Sequence, residues 1–322
     1  MTERLAQPIF VVGAPRSGTT LLRLILNRHT EIGLCDETFF FYYAVRRRRA
    51  FGDLSRSRNR RRLIDAYLST RRLKEMGLDL RALGHRLACE GTSYAAFFST
   101  LLEFYADAHG KIRWGEKTPL HAAELPTLAE WYPDCRVVHI VRDPRDVVSS
   151  LQRMPWGARS VLRNARVWKR LSAPPNADRA RIKRRIIRYE DLVTDPPGTV
   201  RSVCDYLGIS YEPQMLVPEP RPPAKRPWLQ RAQGAITTKS VGAWRLELSH
   251  EQVRLIEWLC APEMRFYGYP TMQPPASRWL KLRGTWDAIQ DAIGERVRRA
   301  PRMWYYWARP RALAAEERWL DR

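Results

Sequence analysis

The run Gly13-Ala-Pro-Arg-Ser-Gly-Thr-Thr20 carries residues suited to holding an oxyanion. A short apolar stretch, Ile9 to Val12, precedes it, and an apolar pattern of helical period begins near Thr19. A turn of this kind between strand and helix aims backbone N–H groups and the positive helix end at one spot, where a phosphate or sulfate fits. Arg16, Ser17, Gly18, Thr19 and Thr20 would grip it through amides, hydroxyls and one guanidinium. Ser17 and Thr20 are equally suited to cap the helix, and both uses share the same helix end. Gly13 and Gly18 stand at the Walker A spacing, but Thr19 replaces the lysine that reaches the β- and γ-phosphates of a nucleoside triphosphate. The sequence therefore argues against ATP or GTP hydrolysis while keeping the anion cradle.

Such a loop needs a sheet behind it. Short β-runs are expected at Ile9–Val12, about Arg113–Glu116, Val137–Val141 and Ile186–Tyr189, each followed by a polar turn and helical periodicity. Strands alternating with helices predict an α/β fold, a P-loop-like central parallel sheet flanked by helices. Ligands of such sheets collect beyond the strand carboxyl ends. There lie Gly13 to Thr20, Glu116–Lys117, Arg142 to Ser150 and Tyr189–Glu190. Residues 39–109 read as a helical insert on the acceptor side, with basic runs at Arg46 to Arg49 and Arg56 to Arg62 that suit solvated faces or a lid. Pro218 to Pro227 excludes a central strand or helix, and Leu246 to Cys260 repeats at helical spacing. We divide the chain into 1–272 and a Trp- and Arg-rich helical tail, 273–322.

The 322 residues are 44% apolar, enough for a sizeable core. The formal charge of +22 favours anionic partners: a phosphorylated nucleotide, an anionic acceptor, nucleic acid or an acidic membrane surface. Five scattered cysteines with no Cys-x-x-Cys suit reduced, buried thiols in a cytoplasmic protein. No apolar run approaches membrane-spanning length. The tail, with Trp279, Trp286, Trp304, Trp307 and Trp319 among arginines, suits packing on the domain or a homodimer partner more than peripheral membrane contact.

Two segments carry a resemblance. Gly-Ala-Pro-Arg-Ser-Gly-Thr-Thr-Leu resembles the 5'-phosphosulfate loop of sulfotransferases that use 3'-phosphoadenosine-5'-phosphosulfate (PAPS). Arg136-Val-Val-His-Ile-Val-Arg-Asp-Pro-Arg-Asp-Val-Val-Ser-Ser150 resembles their 3'-phosphate segment, in the family's order. The resemblance spans about Pro8 to Tyr269 and implies further roles. Arg142 and Ser150 would bind the 3'-phosphate, though their eight-residue spacing requires the chain to fold back. Asp36-Glu37-Thr38 matches the branch that includes protein-tyrosine sulfotransferases, which implies Glu37 as catalytic base; the alternative is an acidic pair at a helix start. His29 and His139 suit the base role less well, lying in a helix-end turn and inside a strand. Trp114-Gly-Glu-Lys-Thr-Pro119 implies Lys117 beside the transferring group, with Glu116 as its orienter or a second base. Tyr189 would contact the 3'-phosphate, and Lys239 would serve in a late loop closing over the nucleotide. Many relatives place a basic residue where Ala243 stands.

The implied reaction is PAPS-dependent O-sulfation, with Glu37, Lys117 and Arg16 as the catalytic group and no metal demanded. The hydroxyl acceptor would be a carbohydrate, a glycolipid, a small alcohol or phenol, or a tyrosine, anionic or lipid-linked acceptors included. Two other readings stay open: a P-loop small-molecule kinase, which Thr19 disfavours, and a non-catalytic basic module for nucleic acid or membrane. No specific nucleic acid is expected.

Overall fold

A computed structural model describes residues 7–175, 182–218 and 230–308, with side chains left out of account at 230–231 and 297–308. Five parallel strands form one sheet in the order β2-β3-β1-β4-β5: β1 (Ile9–Gly13), β2 (Ile32–Cys35), β3 (Arg113–Lys117), β4 (Arg136–Val141) and β5 (Arg184–Arg188). The fold is α/β with helices on both sheet faces, as the alternation predicts. The sequence reading missed β2. Its four residues, Ile-Gly-Leu-Cys, begin five positions after the helix α1 (Thr19–Asn27) ends. So short a run has no periodicity of its own.

The pleat of β1 sorts the two cores. Phe10 and Val12 face one side, Ile9 and Val11 the other. Residues of the 39–109 region cover the first side directly: Phe40 stacks on Phe98 at 4.9 Å and on Phe97 at 5.5 Å, and Phe10 stacks on Phe98 at 6.1 Å. This region is therefore a layer of the domain's own core. Its helices include Ser57–Leu68, Leu80–Glu90 and Tyr94–Ala108. Part of its arginine content is structural. Arg60 donates to the carbonyls of Ala88 and Leu54 at 2.8 Å, and Arg46 pairs with Glu124 at 2.7 Å.

The second side is closed by α1 and by the helices Tyr189–Thr194 and Pro196–Leu207. A third cluster joins the helices Pro144–Gln152, Val161–Leu171 and His250–Phe266 around Trp168. The last of these starts four residues later than its apolar repeat suggests. Ser249 and Gln252 form a reciprocal capping box there, and Trp244–Glu247 makes a separate short helix. A terminal helix, Arg278–Ala308, follows. Four cysteines are buried as expected, but Cys89 is exposed. Most of Pro218 to Pro227 lies outside the described residues, as does Trp319. Among the described residues no helix is long and apolar enough to cross a membrane.

Candidate active site

All five strands run the same way, so their carboxyl ends share one edge, and each end delivers candidate residues to it. At the end of β1 the chain turns sharply. Gly13 and Gly18 have φ of 153° and 94°, and Arg16 itself sits at φ 72°, where an L-residue is strained. The glycines are sterically required. A Cβ on Gly13 would fall 2.3 Å from the Ile140 carbonyl oxygen, and one on Gly18 would fall 2.5 Å from the Tyr189 ring. Gly18 is the N-cap of α1, and no side chain caps that helix. Its first amides are thus left for another acceptor. Neither Ser17 nor Thr20 caps it. The Ser17 hydroxyl is buried without a hydrogen-bond partner in the structure, Thr19 is buried, and Thr20 is half-buried. An orphaned hydroxyl beside an uncapped helix start and two arginines is a fitting seat for a sulfate or phosphate group.

The second arginine comes from β4. Arg142 donates to the Arg16 carbonyl at 3.0 Å and to the Ser240 carbonyl, and lies over the Tyr189 ring at 4.5 Å. Arg16 Nε in turn donates to Ser150 Oγ at 3.0 Å. The chain does fold back as the spacing requires. Asp143 caps the helix Pro144–Gln152 by accepting from the Arg145 amide at 2.8 Å, and the helix carries Ser150 back to the loop. Arg16, Arg142, Ser150 and Tyr189 therefore form one contact set.

Arg145 and Asp146 do not pair with each other. Arg145 is buried between Asp143 and Glu257, each at 2.7 Å, under Trp244. Asp146 accepts from the amides of Gly242 and Trp244 at 2.8 and 3.0 Å and stands 3.6 Å from Arg142. It ties the late loop to the end of β4. Burial raises its pKa, against the pull of Arg142 and the two amides. Lys239, in that loop, is exposed, and its backbone N–H donates to the Thr237 hydroxyl at 3.1 Å. Arg153 pairs with Glu247. Glu190 accepts from the Asp143 amide at 3.0 Å and from the Tyr269 hydroxyl at 2.7 Å.

On the other half of the edge, Asp36 and Glu37 follow β2 rather than open a helix, so helix-dipole stabilisation does not explain them. Lys117, buried at the end of β3, donates to Glu37 Oε1 at 2.7 Å and stands 2.9 Å from Asp36 Oδ1. Two further cations complete the cluster, both missed by the sequence reading. Arg23 of α1 lies 3.5 Å from Asp36, and Arg72 of the 39–109 region lies 3.5 Å from Glu37 while covering the Phe39 ring at 4.0 Å. Arg23 sits four residues past Thr19, one helical turn along, a spacing that could have flagged it. Arg72 has no such signal. Phe39, at φ 51°, is the second strained position. Burial tends to raise the pKa of Glu37, but Lys117 and Arg72 outweigh burial and Asp36 and hold it below its ordinary 4.5. Asp36 is held far below its usual range because Arg23 and Lys117 overcome burial.

Glu116, one residue from Lys117, faces the opposite side of the sheet and does not orient it. It accepts from Thr38 at 2.5 Å and Thr118 at 3.0 Å and contacts His121. His139 is buried inside β4, where burial and then Arg184 push its pKa down to about 3. His29 bonds to the Ser210 carbonyl at 3.0 Å.

β1 lies between β3 and β4, so the two contact sets stand about 10 Å apart at strand spacing.

Comparisons with known proteins bear on the family and the fold. The chain is 26% identical to mouse carbohydrate sulfotransferase 2 over 205 residues, 48% of this chain but 38% of that protein. It is 25% identical over 289 residues to a Caenorhabditis briggsae protein named "Putative protein-tyrosine sulfotransferase", covering 84% of this chain and 92% of the relative. In structure it resembles the sulfotransferase domain of the curacin biosynthetic pathway, with a TM-score of 0.54 at 21% identity over 84% of this chain and all of that domain. That likeness concerns the fold. The sulfotransferase family model matches residues 8–213, close to two thirds of the chain and including the ends of all five strands; the chain belongs to the sulfotransferase family.

Proposed function

We propose that the enzyme transfers the sulfuryl group of PAPS to a hydroxyl acceptor and releases adenosine 3',5'-bisphosphate. The observation that carries this reading is the uncapped, arginine-flanked loop beside a Glu37–Lys117 ion pair whose lysine is buried. The loop amides, Ser17, Thr19, Thr20 and Arg16 would hold the 5'-phosphosulfate. Arg142, Ser150 and Tyr189 would hold the 3'-phosphate, with Lys239 closing from the late loop. Charge develops on the bridging oxygen as the S–O bond to phosphate breaks, and preorganised cations at that oxygen are a large source of rate. Lys117 and Arg16 would serve there.

Glu37, ionised at neutral pH, would take the acceptor's proton as its oxygen bonds to sulfur. Its low pKa makes it a weak base in the free enzyme. Drawing Lys117 toward the leaving phosphate would release part of that hold, so donor binding itself would strengthen the base. The relatives' names mention carbohydrate and protein tyrosine, both hydroxyl acceptors. The 39–109 region, which supplies Arg72, would wall the acceptor side, and its exposed arginines favour an anionic or large acceptor.

Calorimetric titration with adenosine 3',5'-bisphosphate, run beside ATP and DNA at two salt concentrations, tests the donor assignment. DNA affinity without bisphosphate affinity, collapsing with salt, would refute it. Transfer from radiolabelled PAPS across carbohydrate, glycolipid, phenol and tyrosine-peptide acceptors then identifies the acceptor.

A further inference from the structure

The terminal helix Arg278–Ala308 has two apolar faces where one would suffice. Leu280, Gly284 and Ala288 are buried, and with Asp291 and Glu295 they mark one side. That side packs on Leu162 and Leu255 and is pinned by Arg163, which reaches Asp291 at 2.9 Å and also pairs with Glu295. The opposite side carries Trp279, Leu282, Trp286, Ile289 and Ile293, spaced three and four apart and 45–81% exposed. At 3.6 residues per turn the two stripes point about 180° apart. Trp258, Phe266 and Met272 are exposed nearby in sequence. By contrast, residues 39–109 include no large hydrophobic side chain exposed to this degree. An apolar stripe of this size on one helix marks a contact surface.

The flanking charges select what it contacts. Exposed Arg278, Arg283 and Arg296 stand about 60–80° to either side of the stripe's centre, and Arg283 also pairs with Glu251. Thr285, Gln290 and Ala292 fill the other flanking positions, with no acid among them. Exposed Asp287 lies about 120° from the centre. A second copy docked through this stripe would bring arginines against neutral or like-charged positions, without the opposite charges that specify paired helices. A bilayer bearing anionic headgroups supplies both an apolar phase for the tryptophans and phosphates for the arginines. Residues 273–322 hold eleven Lys and Arg against six Asp and Glu. We infer that this helix lies in the plane of an anionic lipid surface, anchored by Trp279, Leu282, Trp286, Ile289 and Ile293, and holds the enzyme at a membrane.

The inference is independent of the donor and acceptor assignment, because lipid binding needs neither. Flotation of the full chain with vesicles of phosphatidylcholine alone, and of phosphatidylcholine with phosphatidylglycerol, tests it. Binding is expected with the anionic vesicles only, together with quenching of tryptophan emission by brominated acyl chains. The double variant W279S/W286S should lose about tenfold or more in vesicle binding, while its melting temperature and bisphosphate affinity stay unchanged. Equal binding by the double variant would overturn the inference, since basic charge alone would then suffice. Binding of the wild type without quenching would overturn it even if the variant failed to fold. Absence of vesicle binding, with a dimer in light scattering that the variant dissolves, would assign the stripe to a second copy.

Discussion

The two halves of the sheet edge handle positive charge differently. On the β1–β4–β5 half, Arg142 donates to two carbonyls and Arg16 to a serine hydroxyl, and these bonds fix direction without neutralising charge. The acid near them, Asp146, is shared with two backbone amides. On the β2–β3 half, Lys117 is closed in by two carboxylates, each with an arginine behind it. On the proposed reading the first half receives an anion. The second is balanced, and it changes state only when an incoming charge competes for Lys117. The contrast separates two tasks: damage to the first half should weaken nucleotide binding, and damage to the second should slow turnover.

The sharpest way to break that division is Glu37→Gln. It should lower kcat by about 10²–10⁴-fold with bisphosphate affinity retained in calorimetry; retained turnover would remove Glu37 from the base role. Lys117→Ala should cost about 10²–10³-fold in kcat, with a smaller effect on product affinity. On the other half, Arg142→Ala and Arg16→Ala should each weaken bisphosphate binding by about ten- to a hundredfold, the worth of a charged hydrogen bond. Equal losses in kcat and affinity for all four variants would mean that the halves do not divide the work.

A finer test uses pH. Arg72→Met removes one of the cations that hold Glu37 below 4.5, so the acid limb of kcat/KM should move upward, with only a few-fold loss at neutral pH. The sign follows from the ionised form being both the active and the stabilising one. With folded pKa values below the ordinary 3.8 and 4.5, Asp36 and Glu37 add stability above those values. They lose it as pH falls through the folded values. The variant should therefore melt earlier than the wild type at neutral pH, with the difference shrinking as pH falls and Glu37 becomes protonated. Lys239→Ala should have the smallest effect, less than about threefold in bisphosphate affinity, because an exposed lysine contributes little.

Much of this arrangement could be read from the chain. The anion loop announces itself because glycine, arginine and hydroxyl residues sit between an apolar run and a helix. The strand–Arg-Asp-Pro segment does so because Asp143 both caps and turns. What escaped is non-local. Arg72 reaches Glu37 across 35 positions, and only the packing of Phe39, Phe40, Phe97 and Phe98 brings it there. β2 escaped because four buried residues are consistent with several conformations. Its absence from the reading left the acidic pair at a helix start instead of a strand end. The sequence favours packing of the tail on the domain or on a second copy over a membrane, because tryptophan alone does not distinguish packing from lipid. The proposed lipid contact rests on the helical phase of its arginines, and that phase is legible only once the buried face is known.

One consequence reaches beyond catalysis. Glu116 and Lys117 are adjacent on β3 yet serve opposite sides of the sheet, held in register opposite Phe10 and Val11 of β1. Slipping that strand by one residue would swap an ammonium for a carboxylate beside Asp36 and Glu37 and bury the ammonium near Thr38 and His121. A single-codon insertion or deletion within Arg113–Lys117 would thus rewire the enzyme rather than merely loosen it. The strand's length should be among the least negotiable features of the gene, far less so than the identity of most side chains around it.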